Sequence, residues 1–255
     1  MKNAIFITGA SSGIGKALSL RLAGNGVALG LLSRGRDASL EEVAALCREK
    51  GAEVFAYAAD VSDAVATAAA AQAFLDRVGR IDVVVANAGV SAVDQDDEAN
   101  WLDISKANMD VNFYGVINTI VPFIDTLKRQ KHGSLAIISS ISALRATHNS
   151  GPYSASKAAV NLWSEGLRLR LRPFKVSVTT LCVGFVDTAM TRSNKFWMPG
   201  LISADKAAAL IDSKIRRKVR LTVLPWTSGG IWAIFHQMPG RLYDLVIDTA
   251  KKRQQ

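Results

Sequence analysis

Short apolar runs rich in Val and Ile recur along the chain and alternate with segments of helical periodicity. The runs occupy residues 4–7, 27–32, 54–57, 83–86, 134–139 and 176–182. Each run is almost continuously apolar, as expected for a strand whose sheet is covered by helices on both faces. The alternation of strands and helices predicts an α/β fold with a doubly wound parallel sheet of the Rossmann type.

The segment 65–74 is so rich in alanine that it resembles low-complexity sequence. Alanine is nevertheless the best helix former, and the preceding stretch from Asp60 to Asp63 offers side chains that can cap a helix. We therefore predict a surface helix here.

The chain has the length and composition of one domain. It holds 255 residues, of which 49% are hydrophobic and 21% charged, close to globular averages. Two independent domains would each be small at this length. No repeat or linker divides the chain before about Pro199, where Pro-Gly and Gly-Gly pairs begin to punctuate it. We predict a single domain over residues 1–255, with the residues from about 190 onward as a C-terminal appendage.

Targeting signals and cysteine usage indicate the compartment. The N-terminal apolar run is too short for a signal-peptide core, and no run reaches the length of a membrane span. Cys47 and Cys182 lie in different segments without a metal-type spacing, so we interpret them as free thiols in a reducing compartment. The expected location is the cytoplasm. The three histidines share no common spacing, and no metal site is predicted.

The net charge of +9 is concentrated at the C-terminal end. Residues 191–255 carry 12 Lys and Arg against 4 Asp and Glu, which leaves 19 against 18 in residues 1–190. No zinc-finger spacing, basic zipper or RNA-binding aromatic motif accompanies the charge. A solvated basic face is favoured over a nucleic-acid partner.

A glycine-rich turn follows the first predicted strand. Gly9, Gly13 and Gly15 stand between that strand and a helical pattern, in a G-x-x-x-G-x-G spacing that differs from the usual dinucleotide motif. Glycines at this place let a pyrophosphate approach backbone N–H groups at a helix N-terminus, where the helix dipole favours negative charge. The turn predicts a dinucleotide site.

The second predicted strand ends at Ser33-Arg34, where NAD enzymes usually hold an acidic residue that binds the ribose 2′-hydroxyl. A serine and an arginine suit a 2′-phosphate instead, because a guanidinium binds phosphate oxygens by charge-assisted hydrogen bonds. NADP is therefore the predicted cofactor. The alternative is that Arg34 and Arg36 are ordinary solvated loop residues.

Tyr153 and Lys157 stand four residues apart at the start of a helical pattern, on one face of that helix. A phenol has an ordinary pKa of about 10, and a nearby ammonium stabilises the phenolate. We expect Lys157 to lower the pKa of Tyr153 toward the working range of an acid-base catalyst.

Together these motifs resemble the short-chain dehydrogenase/reductase family over residues 4 to about 191. The glycine turn resembles the family's cofactor motif, and Asp60-Val61 its adenine-contacting pair. Three further matches follow in order: Asn87-Ala88-Gly89, Asn112, and Ser140, thirteen residues before Tyr153.

The resemblance implies a role for each matched residue. Tyr153 would be the general acid in reduction and the general base in oxidation, with Ser140 bonding the substrate oxygen. Lys157 would hold the nicotinamide ribose, and Asn112 would order a water that links Lys157 to solvent. The implied NADP-binding residues are Gly9, Ser11, Ser12, Gly13, Ile14, Gly15, Ser33, Arg34, Asp60, Val61, Asn87, Ala88, Gly89, Tyr153, Lys157, Gly184, Val186 and Thr188.

One segment departs from the family pattern. Cys182-Val183-Gly184 stands where the family usually has Pro-Gly after the sixth strand, so Val183 replaces the proline. This puts the local loop geometry in doubt. Cys182 itself ends an apolar strand, and we expect a buried, inert thiol.

The implied function is an NADP(H)-dependent oxidoreductase that transfers a hydride between the nicotinamide and a carbonyl or alcohol carbon. The alternative is an NADP-binding regulatory protein of the same fold that has lost turnover. By the resemblance, the substrate is chosen by residues 91–100, 143–151 and those after Thr188, and His148 falls at that mouth, although an exposed loop histidine is the favoured interpretation of it.

The C-terminal appendage combines basic and aromatic residues. Its aromatic side chains include Trp197, Trp226, Trp232, Phe235 and Tyr243. They predict either the wall of a pocket for a hydrophobic or acyl-chain substrate, or contact with an anionic membrane surface. A plain role in the core or in an oligomer contact has equal weight.

The segment 109–127 has apolar residues around most of a helical circumference. Such a helix is buried on two sides, one against the sheet and one against a partner. Since the family pairs helices in this way, we expect a homodimer or a homotetramer.

Overall fold

Seven parallel strands form the central sheet of the computed structural model, which describes residues 3–35, 38–91, 100–147, 150–192, 198–227, 230 and 237–252. The order across the sheet is β3-β2-β1-β4-β5-β6-β9. The strands are β1 (Asn3–Thr8), β2 (Val27–Ser33), β3 (Glu53–Ala58), β4 (Val83–Ala86), β5 (Ser134–Ser140), β6 (Ser177–Val183) and β9 (Leu221–Leu224). The predicted Rossmann-type sheet is confirmed, and all six predicted strands are present.

The sequence did not predict three strands. The edge strand β9 pairs with β6, so the C-terminal part of the chain adds to the main sheet. The two-residue strands β7 (Val186–Asp187) and β8 (Ile202–Ser203) pair with each other after β6. Because the seven long strands are parallel, their carboxyl ends share one edge, where ligand sites of such sheets lie.

Helices cover both faces of the sheet. One face carries α1 (Gly13–Leu22), α2 (Ala38–Glu49) and α9 (Ala204–Arg216), and its core includes Leu18, Leu31 and Ile211. The other face carries α3 (Ala64–Val78), the helical segment 101–130 and α7 (Gly151–Leu171), around a core centred on Phe6. The Phe6 ring lies 5.6 Å from that of Phe74 between centroids. A short helix, α8 (Ala189–Arg192), follows β7. The last helix, α10 (Gly240–Lys252), ends the described part of the chain.

The alanine-rich segment forms α3, as predicted. Asp63 caps its N-terminus, since one carboxylate oxygen accepts hydrogen bonds of 2.9 Å from the N–H groups of Val65 and Ala66. Gly79 ends the helix in the left-handed conformation, with φ of +69°. Among the described residues, no helix is both long and apolar enough to cross a membrane.

The segment predicted as one helix over 109–127 is interrupted twice. It comprises α4 (Trp101–Met109), a π-helical turn over Asp110–Tyr114, α5 (Gly115–Ile120), a 3₁₀ turn over Val121–Phe123 and α6 (Ile124–Gln130). Pro122 accounts for the 3₁₀ turn, because proline lacks the N–H that an α-helix needs. The π-helical turn contains Asn112, and such turns often mark functional positions.

Candidate active site

A cleft of about 410 Å³ opens at the carboxyl edge of the sheet. The predicted site residues that line it are Gly9, Ser11, Ser12, Gly13, Ile14, Ser33, Arg34, Val61, Asn87, Ala88, Gly89, Ser140, Tyr153, Lys157, Gly184, Val186 and Thr188. Three predicted residues lie beside the cleft without lining it: Gly15, Asp60 and Asn112. The fold thus gathers one continuous site from segments spread over most of the chain.

The glycine-rich turn is fixed against the end of β4. Gly9 has a φ of +66°, and a Cβ there would lie 2.9 Å from the Cα of Ala88, so only glycine fits without strain. Thr8 Oγ1 accepts hydrogen bonds of 3.2 Å from the N–H groups of Asn87 and Ala88. The Asn87 side chain returns a 2.9 Å bond to the carbonyl of Thr8. These contacts hold open a cradle at the N-terminus of α1 that suits a pyrophosphate.

The ends of β2 and β3 form one end of the cleft. Ser33 is buried and donates a 2.7 Å hydrogen bond to the Gly35 carbonyl, whereas Arg34 is exposed. Burial raises the pKa of the Asp60 carboxyl, but hydrogen bonds from Ser62 and the charge of Arg34 outweigh that effect and lower the pKa overall. The carboxylate therefore stays ionised and bound to Ser62 at 2.7 Å. Arg36 lies outside the described residues.

Ser140, Tyr153 and Lys157 meet where β5 ends and α7 begins. Both Ser140 and Tyr153 line the cleft, and the Ser140 hydroxyl is near enough to act on the pKa of the Tyr153 phenol. Lys157 Nζ lies 5.9 Å from the centroid of the Tyr153 ring and donates a 3.1 Å hydrogen bond to the carbonyl of Ile138. The predicted pairing of the tyrosine and the lysine is therefore seen in the structure.

The predicted lowering of the Tyr153 pKa is not seen in the structure. Desolvation raises the pKa of Tyr153, and the hydrogen bond with Ser140 offsets only part of that rise. Desolvation also lowers the pKa of Lys157 to about 8, with the nearby Cys182 acting in the opposite direction. The prediction considered the ammonium charge but not the burial, which disfavours both the phenolate and the ammonium.

Asn112 lies beside the cleft and is held by several hydrogen bonds. Its amide donates hydrogen bonds to the Val90 carbonyl at 2.9 Å and to Ser156 Oγ at 3.0 Å, and its oxygen accepts 2.9 Å from the Val90 N–H. Asn108 lies one turn earlier and accepts a longer bond of 3.3 Å. Sequence reasoning did not identify Ser156 or Asn108. The available signal was that Ser156 directly precedes Lys157 and that Asn108 stands four residues before Asn112.

The Val183 departure is accommodated by the sheet. Val183 continues β6, pairs with Ser140 and Leu224, and is followed by Gly184, whose N–H donates 2.7 Å to the Leu224 carbonyl. Beyond it, the Thr188 methyl lies 3.1 Å from where a Cβ of Gly13 would stand. The loop after β6 thus closes over the glycine-rich turn.

The cysteines and histidines add no second centre within the described residues. Both cysteines are free, as predicted, and both are buried, as predicted for Cys182, where burial raises the pKa of the thiol. Where side chains are described, no three His, Cys, Asp or Glu residues form a group that could hold a metal ion. His148 and His236 fall outside that part of the chain.

Lys157→Met should stabilise the ligand-free protein. The pKa of Lys157 is about 8 in the folded state against an ordinary 10.5, so the unfolded chain binds more protons between these values and stability rises with pH through that window. Below about pH 8 the folded protein carries the unfavourable buried charge. We expect Lys157→Met to raise Tm at pH 7 by at least about 2 °C and to lack the rise in stability above pH 8.

Thermal unfolding at pH 7 and at pH 10 measures this effect. Lys206→Met, at an exposed position, is the matched control and should unfold like the parent protein. A lower Tm for Lys157→Met at pH 7 would show that the bond to Ile138 outweighs the cost of the buried charge.

The fold and the cleft define an α/β protein built to bind a dinucleotide beside a serine-tyrosine-lysine group. The chain matches the short chain dehydrogenase family model over residues 3–198, and it belongs to that family.

Curated relatives include enzymes with named activities. An 11-beta-hydroxysteroid dehydrogenase A from Sesamum indicum is 34% identical over 197 residues, which cover 77% of this chain and 56% of that protein. A fatty acyl-CoA reductase from Acinetobacter baylyi is 29% identical over 220 residues, which cover 84% of this chain and 74% of the relative.

Solved structures share the fold. An alcohol dehydrogenase from Thermococcus sibiricus, complexed with 5-hydroxy-NADP, has a TM-score of 0.78 and 31% identity over 88% of this chain and 96% of that one. A short chain dehydrogenase/reductase from Burkholderia phymatum, in complex with NAD, has a TM-score of 0.81 and 24% identity over 92% and 93% of the two chains. The second likeness bears on the fold alone.

Proposed function

We propose that this protein is an NADP(H)-dependent oxidoreductase that interconverts a ketone or aldehyde with the corresponding alcohol. One observation carries the proposal. Ser140, Tyr153 and Lys157 line the same cleft as the glycine-rich turn. A dinucleotide held by that turn can therefore reach the proton-transfer group.

The cleft residues fit a nicotinamide dinucleotide. The turn from Gly9 to Gly15 offers backbone N–H groups and no side-chain bulk to a pyrophosphate, while Ser33 and Arg34 suit a 2′-phosphate. Lys157 would hold the ribose hydroxyls, and Thr188 would bond the carboxamide. When bound, the nicotinamide supplies hydride chemistry, and the protein supplies orientation.

Proton transfer is assigned to Tyr153. Because desolvation raises its pKa, the phenol is protonated at neutral pH and can donate to a carbonyl oxygen in the direction of reduction. Ser140 would bond the same oxygen as negative charge develops on it. In the oxidation direction the same oxygen of Tyr153 would accept the proton.

An NADP-binding regulator without turnover is the competing class. The two differ in whether the catalytic group is assembled. Here Ser140, Tyr153 and Lys157 line one cleft. Asn112, beside the cleft, is fully buried, and its side chain is hydrogen-bonded. This assembly favours an enzyme, because a regulator has no need to keep it.

A screen of NADPH consumption tests the proposal. The purified protein is mixed with NADPH and, one at a time, with aldehydes, ketones, steroids, acyl thioesters and sugars. We expect turnover with at least one carbonyl class and none in the Tyr153→Phe variant. Tight NADPH binding without turnover across the whole panel would favour the regulator.

For the substrate class we propose a hydrophobic or acyl-chain carbonyl. The cleft wall beyond Ser140 includes the apolar side chains of Ile141, Phe185 and Met190. The hydroxysteroid dehydrogenase and the fatty acyl-CoA reductase among the relatives act, by name, on molecules that contain a steroid or a fatty acyl group, both of which are largely apolar. Of the C-terminal aromatics, Trp197, Trp232 and Phe235 lie outside the described residues.

A homologous series of straight-chain aldehydes or ketones should show kcat/KM rising with chain length. Each methylene buried in an apolar wall contributes up to about 0.8 kcal/mol, or up to about fourfold in kcat/KM. Steady-state kinetics with the series, and with polyhydroxylated carbonyls of matched length as the control, measures the slope. A flat series, or faster turnover of the polyhydroxylated compounds, would contradict an apolar pocket.

We further propose a homodimer or homotetramer. Large apolar side chains stay exposed on the 101–130 segment and on α7, namely Trp101, Leu102, Tyr114, Val121, Leu162 and Leu169. Light scattering at micromolar concentration should give at least twice the monomer mass, and Leu162→Glu should shift the protein toward monomer. The control Val65→Glu changes an exposed valine on α3 and should not. A monomeric parent protein would contradict the proposal.

The remaining proposals concern the chain as a whole. We propose that residues 1–255 form one catalytic domain, supported by the position of β9 in the main sheet. The buried free thiols support a cytoplasmic location. The basic residues at the end of α9, including Arg216, Arg217 and Lys218, are exposed and suit a solvated face.

A further inference from the structure

The C-terminal helix α10 is held by one buried side chain. From Gly240 to Thr249, Tyr243 is 7% exposed and is the one buried residue, whereas Leu242 and Leu245 on the same helix are 48% and 63% exposed. A tyrosine that is buried on a helix whose other described side chains are exposed or, as for Val246 and Ile247, half-buried marks the main point where the helix is attached. Its environment therefore shows what α10 contacts.

Tyr243 is attached to the loop that follows the catalytic serine. Its hydroxyl donates a 2.6 Å hydrogen bond to the carbonyl of Ala146. The Arg145 guanidinium lies over the same ring, 4.0 Å from its centroid, and donates 2.8 Å to the carbonyl of Met238 just before α10. The helix thus holds the loop through Tyr243, and the loop holds the helix through Arg145. We call these two contacts, of Tyr243 with Ala146 and of Arg145 with Met238, the clasp.

The clasp lies one residue from the wall of the cleft. Thr147 follows Ala146 and lines the cleft. Its N–H donates 2.8 Å to Ser150 Oγ, which lies 3.1 Å from Ser154 Oγ, directly after Tyr153. Residues 145–147 are therefore bonded both to Ser150 and, through the clasp, to α10 and to Met238 just before it.

We propose that Tyr243 and Arg145 are positioning residues that set substrate affinity by holding residues 144–147 against the substrate side of the cleft. Ser140, Tyr153 and Lys157 are placed independently by β5 and α7, so the clasp should leave the chemical step unchanged. The kinetic part of this inference rests on the proposed function, whereas the structural part does not.

Tyr243→Phe removes only the hydroxyl that bonds Ala146. We expect KM for the carbonyl substrate to rise about 3- to 10-fold, as for the loss of one hydrogen bond, with kcat and the Kd of NADPH each within about twofold. Arg145→Met should act alike. Because both residues belong to one clasp, the double variant should raise KM by less than the product of the two single effects.

Hydrogen exchange tests the clasp without any substrate. The amides of Ala146 and Thr147 should exchange at least about threefold faster in Tyr243→Phe than in the parent protein, as expected for easier local opening. Two controls are matched to the change. Tyr57→Phe removes a tyrosine hydroxyl from β3, and Thr249→Ala removes a hydroxyl that bonds only within α10. Neither control should alter KM or the exchange of these amides.

The outcomes separate the two proposals. Unchanged exchange in Tyr243→Phe overturns the clasp even if the protein is an active reductase. Faster exchange together with an unchanged KM, or a loss of kcat that follows a fall in Tm, shows a merely structural role and overturns the positioning inference. Faster exchange in a protein that turns over no carbonyl leaves the clasp intact and overturns the proposed function.

Discussion

Replacing Tyr153 with phenylalanine should lower kcat by a factor of about 10² or more while NADPH binding survives. The change removes only the phenolic oxygen. Tyr153 lines the cleft with Ser140, and its phenolic oxygen is the group that would exchange a proton with the substrate. Single-turnover kinetics and NADPH titration of the variant separate the chemical step from binding.

Tyr57→Phe is the matched control, because it removes a phenolic oxygen from β3, away from the cleft lining. It should keep full activity. If Tyr153→Phe turned over normally, the assignment of the general acid would be wrong. If it lost NADPH binding as well, the tyrosine would be needed for the cofactor and its catalytic role would remain without support.

The second large effect concerns cofactor choice. We expect kcat/KM with NADPH to exceed that with NADH by at least roughly tenfold, or about 1.4 kcal/mol. Ser33 ends β2 with a buried hydroxyl, and Arg34 stands beside it with an exposed guanidinium. Ser33→Asp places a carboxylate there, which repels a 2′-phosphate and can bond a 2′-hydroxyl, so the preference should reverse.

Arg34→Ala distinguishes a specific contact from general charge. It should weaken the binding of NADPH and leave the binding of NADH nearly unchanged. Arg217→Ala, at an exposed position at the end of α9, should change the binding of neither cofactor. Equal kinetic efficiency with the two cofactors in the parent protein would contradict the prediction. So would an Arg34→Ala variant that loses affinity for both cofactors equally.

The main sheet could be predicted because its central strands are buried on both faces and therefore apolar throughout. The edge strand β9 escaped prediction for the opposite reason. Leu221 at its start is 52% exposed, and the strand is four residues long with basic residues before it. The hydrophobic pattern of so short a segment does not predict a strand, because the strand is stabilised mainly by its pairing with β6.

The segment 109–127 shows a different limit. Its apolar periodicity correctly indicated helix, but the π-helical turn around Asn112 depends on distant partners. Gly115 packs so closely on Val61 that a Cβ would not fit, and Asn112 bonds both Val90 and Ser156. These contacts join residues 112–115 to three other parts of the chain, so no window of sequence contains them.

At the site, residue identity was predictable and electrostatics was not. Many residues of the matched motifs stand at or just after the end of a strand, and these strand ends share the edge of the sheet where the cleft lies. The pKa of Tyr153 is raised where the sequence predicted a lowered value, and the lowered pKa of Lys157 was not predicted, because both depend on burial, which the spacing of two residues does not reveal. The clasp between Tyr243 and Arg145 was also hidden, since it joins residues 98 positions apart.

Isotope transfer tests the central claim most directly. The protein is incubated with an active carbonyl substrate and NADPH in which both hydrogens on C4 of the nicotinamide are deuterium, and the product alcohol is analysed by mass spectrometry. We expect the parent protein to form alcohol with deuterium on the former carbonyl carbon and Tyr153→Phe to form almost none. Alcohol formed without deuterium, or the absence of any product while NADPH stays bound, would contradict direct transfer at this site.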